Sequence, residues 1–220
     1  LLPILAKQYQ LNDLQLRFYF PAQFAGSLLG TFLTSRFARK NQFIAASFIG
    51  AVLMAFGMLL MNVNWFPVSL TAFLINGVGI GLTLPAINMT VLELSPENTA
   101  SSLSFLNFFW GVGAIICKPF VDLSSRGSDI TVTTTVLAAP LLIAAAILYF
   151  QPTRTIAVPA SSGAETDEAR TPIWTQPIAW AIALFNFIHV GYESGMGGWL
   201  TTYTDRLDET QIVRWLSPTL

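Results

Sequence analysis

Six long stretches of the chain are apolar and nearly free of charge: residues 14–34, 43–61, 66–92, 99–121, 131–150 and 177–203. Each is long enough to cross a hydrocarbon core of about 30 Å as a helix. Short polar breaks separate them. Arg36-Phe-Ala-Arg39-Lys40 is a tight basic turn, and Asn62-Val-Asn-Trp65 a turn with an interfacial tryptophan. In Glu93-Leu-Ser-Pro96-Glu97-Asn98 the proline stops one helix while Ser and Asn suit the cap of the next. Residues 122–129 form a polar loop. The fold class expected is therefore all-α, a polytopic membrane helix bundle of about six transmembrane helices. Residues 1–13 are a short polar-ended segment. Residues 151–176, rich in Pro, Ser, Ala and charge with no apolar period, read as a linker. The tail beyond residue 203 is amphipathic at best and too short to cross.

Within the spans, small and polar residues fall on defined faces. Gly26-x-x-x-Gly30 is a close-packing pair, and Ala46, Gly50 and Gly57 share one side of the second span. The third span has two such faces, one with Gly77, Gly81, Pro85 and Asn88 and the other with Asn76, Thr83 and Thr90. A helix with two polar-or-small faces is not expected to look at lipid on either. On the fourth span Asn107, Gly111, Ala114 and Lys118 line up, with Trp110 beside them. Lys118 sits near the helix end, where its stem can snorkel to the interface. Pro140 predicts a kink in the fifth span.

The sixth span carries the chain's single histidine, His189, and an acid, Glu193, four residues on. At about 100° per residue, Asn186, His189, Glu193 and Gly197 fall in one narrow stripe. An ionisable group at that depth costs about 2.5–3.5 kcal/mol on insertion scales, so Glu193 is expected to face a bundle interior or a wet cavity. Glycines at 191, 195, 197 and 198 let another backbone approach or let the helix break.

Composition fits this pattern. Hydrophobic residues make up 53% and charged residues 10%, against about 25% charged in soluble domains, and mean hydropathy is +0.58. A net charge of −1 with no basic stripe gives no sign of a nucleic-acid partner. One cysteine, Cys117, leaves no internal disulfide and no cysteine metal cluster, and one histidine leaves no two-histidine zinc site; neither metal nor cofactor is expected. A raw count of basic residues does not orient the bundle. Their density in the 36–40 turn favours placing that turn, and the 151–176 linker with it, in the cytoplasm. The expected location is a multi-pass position in a lipid bilayer, the plasma membrane first.

Several of these pieces resemble the major facilitator superfamily of secondary transporters. The turn from Gly30 through Lys40 is similar to that family's loop between its second and third helices, with Arg36, Arg39 and Lys40 matching. Ser35 stands at the family's acid position and Ala38 at its second glycine. Residues 79–116 resemble the fourth and fifth helices of sugar-type members. Residues 187–203 resemble the seventh helix of the fucose:proton symporter branch through Gly191, Glu193, Trp199 and Tyr203. The resemblance implies that the spans are helices two to seven of twelve, with helix one missing in front and helices eight to twelve behind. Residues 1–150 would then belong to the N-terminal half, 151–176 to the cytoplasmic linker, and 177–220 to the start of the C-terminal half.

The resemblance further implies secondary active transport of a small polar solute by alternating access. The solute expected is a monosaccharide and the coupling ion a proton rather than sodium; the fragment alone is expected to be inactive. Such transporters bind near the mid-plane between their halves. Sugar hydroxyls need amide donors and acceptors, and the ring needs a flat apolar face. Asn88, Asn107, Trp110, Asn186 and Glu193 are the substrate-binding candidates, Glu193 with His189 the ion-coupling pair, and Arg36, Arg39 and Lys40 the gating loop. Each has a plainer reading: the asparagines tie helices together, Trp110 packs, His189 is a satisfied core residue, and the basic turn anchors topology. Enzymatic chemistry is not expected, since His189 and Ser194 lie about 140° apart on one helix and cannot form a nucleophile–base pair. The competing class is a non-transporting membrane receptor or sensor, or a regulatory fragment of a transporter.

Overall fold

A computed structural model describes residues 2–124, 130–151 and 175–207. They divide into two compact units, Leu1–Ala157 and Val158–Leu220. In the first, the helices are α1 Leu2–Gln8, α2 Asp13–Leu16, α3 Tyr19–Ala38, α4 Phe43–Leu60, α5 Phe66–Leu94, α6 Thr99–Ser124 and α7 Ile130–Tyr149, with a 3₁₀ turn at Pro96–Asn98 before α6. The second unit holds α8, Pro177–Leu207. No strand occurs among the described residues, and the molecule is an all-α membrane helix bundle. Each expected span has its helix. The linker expected over 151–176 and the tail beyond 207 lie outside the described residues, apart from the linker's first and last positions.

The first span needs correction. It does not run unbroken from residue 14; α2 ends at Leu16 and α3 starts at Tyr19. Two local causes fix the break. Asn12 and Gln15 form a reciprocal capping box, with the Gln15 N–H donating to Asn12 Oδ1 at 2.8 Å and the Asn12 N–H to Gln15 Oε1 at 3.0 Å. Pro21 has no N–H and its ring would clash with the carbonyl four residues back. It is accommodated in the first turn of α3, where its missing N–H would have had no partner inside the helix. Residues 2–8 are helical as well, a short element the polar-ended reading of residues 1–13 leaves out.

The α3–α4 turn closes through Asn41 in the left-handed region, φ 55°, a conformation Asn tolerates better than most residues. Arg36 lies in the last turn of α3, and Arg39 and Lys40 follow it, all exposed. Their charge complements the negative end of the helix. At the other break Ser95 leaves the helical region, φ −136° and ψ 63°, in keeping with the bias of a residue before proline away from it.

Helix α5 is the centre of the first unit, and its glycines set the spacing. A Cβ added at Gly26 or Gly30 would strike the backbone of Leu74, Val78 and Gly81–Leu82; one at Gly77 or Gly81 would strike Gln23 and Ser27. The register rises together, so α3 and α5 run parallel, backbone on backbone. On the opposite face, a Cβ at Gly50 would meet Gly79 O at 2.7 Å, and one at Gly57 would meet Ala72 O at 2.8 Å. Here the register runs in opposite senses, and α4 is antiparallel to α5. The two small-or-polar faces expected on the third span are thus both used. Helix α7 packs on α4, with the Phe48 and Tyr149 rings 5.7 Å apart and the Thr134 hydroxyl donating to Asn62 Oδ1 at 2.6 Å. Pro140 lies within α7, where one backbone donor is lost.

The end of the unit that carries α1 and α2 is closed by apolar packing. Leu5, Leu16, Tyr19, Met61, Ala72, Phe73 and Ile130 form one buried cluster. Gln8 Oε1 accepts the Ile130 N–H at 2.9 Å, capping α7 from a residue far away in sequence, and Tyr9 Oη donates to Met61 O at 3.0 Å. The opposite end holds a smaller cluster, Phe43, Ala46 and Ala86, flanked by Phe37.

Four helical segments, Phe43–Leu60, Phe66–Leu94, Pro96–Val121 and Ile130–Tyr149, are long and apolar enough to cross a membrane. Helix α3, at 20 residues, reaches about 30 Å at 1.5 Å per residue. It is less apolar because Gln23, Ser27, Thr31, Thr34 and Ser35 lie along it.

Candidate functional site

The candidate residues fall into three sets, described where each helix puts it. The first is on α6. Asn107 and Trp110 stand one turn apart and both are exposed, Trp110 at 63%. Helical periodicity alone brings them to one face. Around them Phe105, Phe108 and Phe109 are exposed as well, and Phe105 and Phe109 meet edge to face at 4.9 Å. A Cβ at Gly111 would meet nothing within 4 Å among the described residues. An amide thus stands beside an indole and a glycine with open space around it among the described residues. The side chain of Lys118, expected to snorkel, lies outside the described residues.

The second set is on α5, and here the asparagines separate. Asn88 is exposed. Asn76 is 2% exposed and fully engaged: its Oδ1 accepts from Gln23 Nε2 on α3 at 3.0 Å, and its Nδ2 donates to Met54 O on α4 at 3.3 Å. Asn76 is a tie across three helices, as its plainer reading has it. Gln23, which the sequence pattern does not single out, is the partner. The only signal for it is an amide inside an otherwise apolar run. Thr34 on α3 reinforces the same seam, donating to Gly30 O at 3.0 Å and lying 3.1 Å from Gly81 O.

The third set is on α8. The helix runs unbroken through Asn186, His189 and Glu193, and all three are exposed. The Asn186 amide donates to Ile182 O one turn back at 3.0 Å. The His189 ring lies parallel to Phe185, interplanar angle 1° and centroids 6.2 Å apart. His189 and Glu193 share a stripe one turn apart, yet no hydrogen bond or ion pair joins them among the described residues. They are two separate polar groups on a helix whose other exposed residues here include Phe185, Phe187, Ile188, Val190 and Tyr192. The helix is not broken at Gly191 or Gly195. The side chains of Trp199 and Tyr203 lie outside the described residues.

The arrangement offers amides, one aromatic face, one imidazole and one carboxylate. Among the described residues no three His, Cys, Asp or Glu side chains cluster so as to hold a metal ion. The sequence matches the family model described as Major Facilitator Superfamily over residues 1–217. No curated protein and no solved structure matches the chain.

Proposed function

This chain belongs to the Major Facilitator Superfamily, and from that premise we propose that it serves secondary active transport of a small polar solute, a monosaccharide, coupled to a proton. The family is one of membrane transporters, and the long apolar helices make the chain an integral multi-pass membrane protein. A lipid bilayer and a small-molecule solute are its partners on that ground. The sugar, the proton and the residue roles are the further step.

One observation carries that step. Glu193 is an exposed carboxylate in the interior of a long, largely apolar helix, on one stripe with His189 and Asn186. A charge at such a position is costly in lipid, so it is kept where it faces water or a solute path. A carboxylate there can take a proton from one side of the membrane and release it to the other as access alternates. Asn186 on the same stripe, with Asn88, Asn107 and Trp110 on their own helices, supplies the amides and aromatic face that a sugar needs. Arg36, Arg39 and Lys40, exposed in one turn, act as the gating loop.

The test is Glu193→Gln in proteoliposomes holding the whole protein. The substitution keeps shape and much of the hydrogen bonding but removes titration. Accumulation driven by a pH gradient is expected to vanish while substrate exchange at equal pH persists. Wild-type accumulation with an unchanged pH profile would refute the coupling role. Loss of binding itself would move Glu193 to recognition.

A further inference from the structure

Pro85 stands inside α5. It has no N–H, so the carbonyl four residues back, Gly81 O, loses its partner within the helix, and the proline ring crowds that carbonyl. Gly81 and Leu82 are buried, and a buried backbone acceptor is rarely left unpaired. Helix α3 supplies the partner. Thr34 Oγ1 lies 3.1 Å from Gly81 O and 3.3 Å from Leu82 O, and Thr31 Oγ1 lies 3.5 Å from Gly81 O. The approach depends on Gly30, since a Cβ there would strike the backbone of Val78, Gly81 and Leu82. A hydroxyl that satisfies the freed carbonyl is one of the means by which a membrane helix keeps a proline in its interior.

The Thr34 side chain is buried and has one proton to give. Gly30 O, one turn back on its own helix, is a second acceptor at 3.0 Å. Thr31 is placed alike, with Ser27 O at 3.0 Å. When the α5 carbonyl withdraws, both hydroxyls keep a bond within α3, so the parting strands no donor. What is lost is the contact to α5 alone, at a point where a helix bends because proline has removed a bond. We propose that α5 is hinged at Gly81–Pro85 and that Thr34 of α3 is the releasable latch that holds the hinge. Beyond the hinge α5 carries Asn88, which is exposed, so bending there moves an amide assigned above to the solute. That consequence rests on the transport reading, whereas the hinge and its latch do not.

The latch is tested by whether Thr34 and Pro85 are coupled. Thr34→Val, Pro85→Ala and the double variant of the whole protein are compared by equilibrium unfolding in detergent. Thr34→Val keeps the volume of the side chain but removes its proton, and is expected to lower the folded-to-unfolded ratio about threefold to tenfold. In Pro85→Ala, residue 85 regains an N–H that bonds Gly81 O within α5. The same Thr34→Val change is there expected to cost less than about twofold. Equal losses in the two backgrounds would overturn the latch, since Thr34 would then serve only its own helix, and so would no loss in either. Bending is read separately, from spin labels on Thr71→Cys and Leu94→Cys in a Cys117→Ala background. Both label positions are exposed, one on each side of the proline, and about 35 Å apart along a helix at 1.5 Å per residue. The distance distribution is expected to broaden toward shorter values with Thr34→Val and to narrow with Pro85→Ala. The same distribution in all three proteins would overturn the hinge. Should Pro85→Ala not fold, Thr34→Val against wild type decides alone, and an unchanged distribution overturns the hinge.

Discussion

At the scale of the residue, three asparagines of the first unit, Asn76 on a polar face of the third span and the recognition candidates Asn88 and Asn107, turn out to be different objects. Asn76 is buried, with both ends of its amide engaged, and it holds α3, α4 and α5 together. Asn88 and Asn107 are exposed. The sequence placed all three on polar faces of apolar helices but could not tell them apart, because the partner that decides the matter is Gln23, fifty-three positions away. Asn76→Ala removes the partner of the Gln23 amide and the extra donor on the Met54 carbonyl. Polar ties between membrane helices are worth about 0.6 kcal/mol on average and up to about 1.7. A loss toward the upper end is expected here, read as a lower unfolding midpoint, because two bonds go at once. The affinity for substrate is expected to stay unchanged. A variant as stable as wild type would show that the tie carries nothing. Tyr19→Phe, which removes the hydroxyl 2.6 Å from Ser69 Oγ and keeps the ring contacts to Phe66 and Phe73, is expected to cost about 1 kcal/mol by the same measurement.

At the scale of the element, the length and apolarity of the six runs were enough to locate the helices, since backbone in lipid must satisfy its own hydrogen bonds. Where a boundary depended on local chemistry, the signal was also present. Pro21 and the Asn12–Gln15 capping box mark the break that splits α2 from α3, though hydropathy alone runs straight through it. Which helix a small face meets was not legible, because Gly26-x-x-x-Gly30 looks the same against any neighbour. The structure assigns that face to α5, with carbonyls of α5 against it. A sharp contrast follows between glycines. Gly81→Leu would drive a side chain into the Ser27 backbone, and backbone cannot step aside as a rotamer can. Overpacking of this kind costs about 1–3 kcal/mol or more, so the variant is expected to be recovered mainly as aggregated or protease-sensitive protein. Gly111→Leu on α6 meets open space and is expected to give a monodisperse peak in detergent at the wild-type yield. Equal behaviour of the two variants would show that the α3–α5 seam is looser than its geometry.

At the scale of the whole molecule, the solute contacts proposed on α6 and the coupling acid proposed on α8 can be separated by what each substitution changes. The proposed solute contacts, Asn107 and Trp110, lie on α6 in the first unit; the proposed coupling acid, Glu193, lies on α8 in the second. The sequence made both sets visible as polar positions in apolar helices, but it has no means of stating the distance between residues on separate units. Function supplies that link. Loss of one hydrogen bond to a neutral hydroxyl is worth about 0.5–1.5 kcal/mol, and about 1.4 kcal/mol is tenfold in affinity. Asn107→Ala is therefore expected to raise the substrate concentration for half-maximal exchange by about threefold to tenfold while leaving its pH dependence in place. Glu193→Gln is expected to do the reverse, flattening the pH dependence with little change in half-saturation. If the two act at separate steps of one cycle, the double variant shows both defects at once, each at the size seen in the single variants, because independent sites add. A double variant no worse in affinity than Glu193→Gln alone would mean that Asn107 acts only through the acid, and the division between a binding wall and a coupling helix would fail.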